Sequence, residues 1–308
     1  MFFNLFNFMP KPYNDGFLDV GNGHEIYYLQ YGNPQGVPVL SFHGGPGGAS
    51  RPKYAKLFDL KKYRFIQFDQ RGCGQSKFTD LLEHNDTPSL ISDAARLLEH
   101  LGIEEQIIVH GASWGSTMAL LFAESYPEKV KKIAVSSVFL ARPVDADWVR
   151  RDSERFYPDL WEEIRKHTKN KDVYEGYYRL LLSPRQKDNL TALSYLGSYE
   201  YKLGQLNPHF TQAEEIDEFV LQMNRVYFHY DRNGFFIGAN QILKNTDRIR
   251  KIPTLIVHNR MDFCCPVKQA WDLHKHLPKS KLTIMPDYGH SNPRLLKEFR
   301  KQLKDFLD

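Results

Sequence analysis

The sequence predicts an α/β protein: a mostly parallel, doubly wound sheet with a helical cap inserted late in the chain. Three observations predict it. Short apolar runs rich in β-branched residues alternate with helix-length amphipathic stretches. The alternation stops near residue 142 and resumes near residue 239. The segment between is charged and aromatic, without strand-like runs. The expected core is therefore 1–141 with 239–308, and the expected cap is 142–238.

Each element has its own signal. "VPVLSF" reads as a buried strand entering the Gly-rich loop "HGGPGG". "RFIQFD" is a second strand, followed by the turn "QRGCGQS". "LISDAARLLEHLG" places Leu90, Ala94, Leu97, Leu98 and Leu101 on one helical face and ends at Gly102. Strand "QIIVH", helix "STMALLFAESY" and strand "KIAVSS" follow. In the cap, "PDLWEEIRKH" and "TQAEEIDEFVLQM" read as helices, the second opening at Thr211 with Glu214 at capping-box spacing. Beyond the cap come strand "IPTLIVH", a helix opened by Pro266, strand "KLTIMP" and the closing helix "NPRLLKEFRKQLKDFL".

Composition excludes several function classes. The net charge of +4 is spread over scattered lysines and arginines, with no basic patch to read nucleic acid. Cys73, Cys264 and Cys265 form no Cys-x-x-Cys pair, and no His-Glu-x-x-His motif is present, so no metal site and no cofactor are expected. Three cysteines suit a reducing, cytoplasmic compartment. The opening "MFFNLFNFMP" is too short to span a bilayer and lacks the basic flank of a signal peptide. It is expected to be a flexible or packed leader without stable membrane insertion.

The chemistry centres on "HGASWGST". Ser113 lies in Gly111-Ala-Ser-Trp-Gly115, after a strand and before a helix. A sharp strand-to-helix turn lifts the serine above the sheet, and small residues two places away let strand and helix approach. A serine hydroxyl needs a base, and the base needs an orienting acid. In α/β-hydrolases both follow the serine, acid first. Asp262 lies after one late strand and His290 after the next. Asp287 precedes His290 by only three residues, and His258 and His110 read as structural. The oxyanion hole is expected from the backbone N–H groups of Gly45 and Trp114.

"HGGPGG", "DQRGCGQS", "GASWGSTMAL" and "IVHNRMDFCCP…YGHS" together resemble the proline iminopeptidases, α/β-hydrolases of the serine peptidase class. The resemblance runs from "YNDGFLDVGNGHEIYY" almost to the end. It implies removal of an N-terminal proline from small peptides by Ser113, Asp262 and His290, with no metal. It also implies that Phe139 in "SSVFLARP" lines the proline pocket, and that two cap glutamates receive the substrate's amine. One matches Glu200 in "LGSYEYK". At the other stands Asn224, in "MNRVYF", which carries no charge. Losing a charged hydrogen bond there costs about tenfold in selection for a free amine. Glu214, Glu215 and Glu218 are the nearby substitutes. Asn224 thus favours a rival reading: an ester, lactone or amide hydrolase with a small-molecule acyl substrate. A non-catalytic binding protein of the same fold would have no use for an intact triad. The oligomeric state has no signature in the sequence.

Overall fold

The computed structural model describes residues 9–168, 171–204, 208–286, 289–290 and 292–308. Most of the Phe-rich opening, and Asp287, lie outside the described residues. The strands are β1 (Asn14–Gly21), β2 (His24–Gly32), β3 (Val37–Phe42), β4 (Tyr63–Phe68), β5 (Lys77–Phe78), β6 (Ile107–Ser113), β7 (Val130–Val138), β8 (Thr254–Asn259) and β9 (Ser280–Met285). They form one sheet in the order β1-β2-β4-β3-β6-β7-β8-β9, with β5 paired to β2. From β4 to β9 along that order, neighbouring strands run parallel.

No strand before Val37 is expected from the sequence, yet β1 and β2 add an antiparallel hairpin against β4. Much of β1 is open to solvent, so it lacks the continuous apolar run that marks a strand covered on both faces. The two glycines of its Gly21-Asn22-Gly23 turn both take positive φ.

Helices cover both faces of the sheet. Strand residues sort by parity: Leu40, Ile66, Val109 and Ile256 pack toward α1 (Thr87–His100) and α2 (Trp114–Ser125). Their neighbours Val39, Phe65, Ile108 and Leu255 face the opposite way. Between β7 and β8 the chain forms α3 (Pro143–Arg150), α4 (Pro158–Lys166), α5 (Val173–Leu182), α6 (Gln186–Ser194), α7 (Leu196–Leu203) and α8 (Glu218–Arg232). These helices hold a separate apolar cluster around Trp161, Tyr177, Leu181 and Tyr199. The short α9 (Gln241–Lys244) leads back to the sheet, and α10 (Lys268–His276) adds Ala270 and Leu273 to the same apolar cluster as α1 and α2. The closing α11 (Pro293–Leu307) covers the other face through Leu295, Phe299 and Leu303. No helix among the described residues is long and apolar enough to cross a membrane.

Two helix starts differ from expectation. The capping-box spacing at Thr211 is unused: α8 starts at Glu218, where Asp217 accepts hydrogen bonds from the N–H groups of Phe219 and Val220. A carboxylate beside the first amphipathic turn outcompetes a threonine one and a half turns earlier. Likewise α10 begins at Lys268, two residues beyond Pro266.

Strand order places the functional region. From β3 the chain moves outward to β4, then returns to the other side of β3 at β6. The carboxyl ends of β3 and β6 flank the point where the winding reverses, the usual ligand crevice of an open α/β sheet. "HGGPGG" leaves β3 there, and Ser113 ends β6.

Candidate active site

Ser113 adopts φ 56 and ψ −129, a conformation costly for a non-glycine residue. The surroundings enforce it. A methyl group on Gly111 would run into the Gly115 carbonyl, and one on Gly115 into the Phe42 carbonyl. The Ser113 side chain makes no capping hydrogen bond to α2, so it is not used as a helix cap.

The Ser113 hydroxyl donates to His290 Nε2 at 3.0 Å. On the far side of the ring, His290 Nδ1 donates to Asp262 Oδ2 at 2.8 Å and Oδ1 at 3.0 Å. Asp262 is buried, and its Oδ1 also accepts from the N–H groups of Cys264 (3.0 Å) and Cys265 (2.8 Å). Burial alone would raise the Asp262 pKa, but the charge and hydrogen bond of His290 outweigh it and hold the carboxyl below its ordinary value. Burial would lower His290, and the charge and hydrogen bond of Asp262, with help from Glu200, carry it above its ordinary value.

The competing histidines have structural partners. His258 Nδ1 accepts from Val138 N at 2.9 Å, which leaves its Nε2 to donate to the Cys265 carbonyl. His110 shares a hydrogen bond with Ser41, and burial lowers its pKa to about 3. Asp262, Cys264 and His290 place potential cation ligands within 4.8 Å of one another. All three are engaged already: the first and last with each other, and Cys264 Sγ with the Glu200 carbonyl.

One side chain joins the two halves of the expected oxyanion hole. Gln70, in "DQRGCGQS", donates from its backbone to His43 Nε2 (3.0 Å) and from its amide to the His43 carbonyl (3.2 Å). Its Oε1 accepts from the Trp114 indole at 2.9 Å. The Gly-rich loop and the turn at Ser113 are thereby tied together. Gly45 lines the cavity, and the Trp114 backbone opens α2 directly after Ser113. A helix N-terminus can stabilise negative charge developing there.

A cavity of about 240 Å³ opens onto Ser113 and His290. Phe139, Ala146, Val149, Phe235 and the cysteines of β8's following loop, Cys264 and Cys265, form an apolar wall. Phe139 is fixed by hydrogen bonds from Thr117 Oγ1 to its carbonyl and from its N–H to Ser116 Oγ. Cys73 is buried and does not line the cavity. Helix α8 meets the Gly-rich loop closely: a methyl group on Gly47 would collide with the Met223 carbonyl of α8.

Glu200 lines the cavity and accepts from the Tyr227 hydroxyl at 2.6 Å. Burial pushes its pKa up to about 7. Asn224 also lines it, but its amide donates back to the Val220 carbonyl at 2.9 Å. Glu214, Glu215 and Glu218 do not line it. Two acids that sequence reasoning does not single out do: Asp145 and Asp231. Each has a long-range or local arginine partner that no motif announces.

The chain matches the alpha/beta hydrolase fold family over residues 37–293. It is 39% identical to a proline iminopeptidase of Arabidopsis thaliana, over 91% of this chain and 76% of the relative. It is 35% identical to a proline iminopeptidase of Neisseria meningitidis, over 96% of this chain and 97% of the relative. Among solved structures, a proline iminopeptidase of Mycobacterium smegmatis shares the fold with a TM-score of 0.66 at 19% identity, covering 96% of this chain and 97% of its own. A bromoperoxidase of Bacillus anthracis scores 0.65 at 18% identity over 96% and 99%, so fold likeness does not choose between chemistries. Sequence identity over nearly the whole chain does: the protein is a hydrolase of the proline iminopeptidase family, within the α/β-hydrolases.

Proposed function

We propose that the protein is a serine aminopeptidase that releases N-terminal proline, or another small residue, from short peptides. Ser113 Oγ attacks the carbonyl carbon of the first residue while His290 Nε2 takes the hydroxyl proton. Asp262 holds the ring and stabilises its charged form, and the N–H groups of Gly45 and Trp114 receive the oxyanion. His290 then gives its proton to the departing amine. A water molecule, deprotonated by the same ring, frees the amino acid from Ser113. Residues 142–238 serve as the cap that selects the substrate, with Phe139 and the apolar wall receiving its side chain. The three free cysteines fit a cytoplasmic setting.

The observation that carries this reading is Glu200: a half-buried carboxylate in the same small cavity as Ser113. An ester or lactone gains nothing from a charge there, whereas a desolvated ammonium requires one. The test compares free prolyl, free alanyl and N-blocked prolyl anilides with a short-chain nitrophenyl ester. Free prolyl anilide is expected to lead in kcat/KM. A blocked anilide or ester cleaved equally well replaces the aminopeptidase reading with that of a general acyl hydrolase.

A pH dependence follows. His290 must be neutral to act as a base, and its pKa is raised, so kcat/KM climbs as pH rises through that value. Glu200 must be charged to hold an ammonium, and it loses charge as pH falls through about 7. Free prolyl anilide is expected to show a steeper acid limb than the ester, which depends on His290 alone. Above pH of about 8 the anilide declines as its own amine loses its proton. Superimposable profiles would remove Glu200 from amine recognition.

A further inference from the structure

We infer that Asp231, held in place by Arg150, is the second carboxylate that receives the substrate's ammonium, in place of the uncharged Asn224. The inference rests on the aminopeptidase reading.

A prolyl ammonium has two N–H donors, a primary one three, and neither is satisfied in a closed site by one acceptor. Among the described residues, the cavity at Ser113 is lined by three carboxylates, Asp145, Glu200 and Asp231, and by no lysine or arginine. The guanidinium groups that balance two of them, Arg142 and Arg150, do not line it. Its field therefore favours a cation.

The three acids are not equivalent. Arg142 occupies both oxygens of Asp145: its backbone N–H and Nε reach Oδ2, and Nη2 reaches Oδ1. Asp231 is bound less evenly. Arg150 Nε lies 2.9 Å and Nη2 2.8 Å from Oδ2, while Oδ1 shares the Nε contact at 3.1 Å. Oδ1 thus has only this longer, shared contact, whereas Asp145 Oδ1 has a 2.8 Å donor of its own.

Position supports the same choice. Asp231 lies seven residues after Asn224 on α8, on the same face and about 10 Å further along the helix axis. Asn224 is spent otherwise: its amide donates to Val220, and its Oδ1 presses on α7, 2.8 Å from where a methyl on Gly197 would sit. Tyr227 lies between the two positions on α8 and donates to Glu200. Burial, then the charges of Glu200 and Asp231, raise the Tyr227 pKa, so both carboxylates act on one hydroxyl. Asp231 and Phe228 also line a second cavity, of about 790 Å³, together with Arg150. The Asp231–Arg150 pair thus lies between the two cavities, with Asp231 alone reaching the one at Ser113.

The experiment uses the full chain with three variants: Asp231→Asn, Asp231→Glu, and the double variant Asp231→Asn with Arg150→Met. The double variant leaves no buried charge unpaired, so it tests the idea if the single change fails to fold. Substrates are free prolyl anilide, N-acetylprolyl anilide and a nitrophenyl ester, with fluorophosphonate labelling of Ser113 as the check on the site. Asp231→Asn and the double variant are expected to lose about tenfold or more in kcat/KM on the free anilide, mostly through KM. Ester cleavage and labelling stay within about twofold, and Asp231→Glu retains most of the selection. A selective wild type whose preference survives Asp231→Asn overturns this inference alone. Equal losses on anilide and ester overturn it too, because they mark a structural role. A wild type that shows no preference for the free amine removes the aminopeptidase reading, and this inference with it.

Discussion

Replacing Ser113 with alanine is expected to lower kcat/KM on every acyl substrate by about 10⁴-fold or more. The protein should stay folded. Ser113 makes no capping bond to α2, so alanine removes one hydrogen bond, the 3.0 Å contact to His290, from a site open to the cavity. The stability cost is therefore about 1 kcal/mol or less. These numbers separate two roles for the same residue. A helix cap replaced by alanine costs about 1 kcal/mol of stability and leaves chemistry intact. A nucleophile shows the reverse. Steady-state kinetics and thermal melting on one preparation decide it: appreciable residual turnover by Ser113→Ala would take the hydroxyl out of the reaction.

The parallel part of the fold is legible in the sequence because burial on both faces writes itself as short apolar runs. "VPVLSF" and "TLIVHN" are buried almost throughout. The β1–β2 hairpin hides because β1 is half solvated and its partner is antiparallel. The helices between β7 and β8 are harder to bound, since several capping residues compete within one stretch. Asp217 wins over Thr211 only where the fold brings the first turn of α8 into place.

The candidate triad is legible for a related reason. Each member ends or closely follows a strand, and strand order alone brings their loops to one edge. Asp231 is not legible. In "FHYDRNG" it looks like a charge near a helix end, and its partner Arg150 lies 81 residues away. Gln70 hides similarly: "DQRGCGQS" reads as a turn, while the side chain binds His43 and Trp114 from two other elements. Long-range polar pairing has no period, so hydrophobic patterning carries no trace of it.

Asp262→Asn is the second large effect expected, a loss in kcat/KM of about 10⁴-fold. The backbone fixes how the new amide must sit. The N–H groups of Cys264 and Cys265 both point at the Oδ1 position, so the amide oxygen stays there and the NH₂ takes the Oδ2 position. That position is the nearer one to His290 Nδ1, at 2.8 Å. Facing a donor, Nδ1 must present its lone pair, and the ring proton moves to Nε2. There it points at Ser113 Oγ and can no longer accept the hydroxyl's proton. The geometry survives while the direction of the hydrogen bond reverses. The pH profile of the residual activity provides a second readout. Asp262 is the main cause holding His290 above its ordinary pKa against burial. Without that charge burial prevails, His290 stays neutral to lower pH, and the acid limb of ester cleavage moves down. A loss of less than about tenfold with an unmoved limb would mean that another group orients His290.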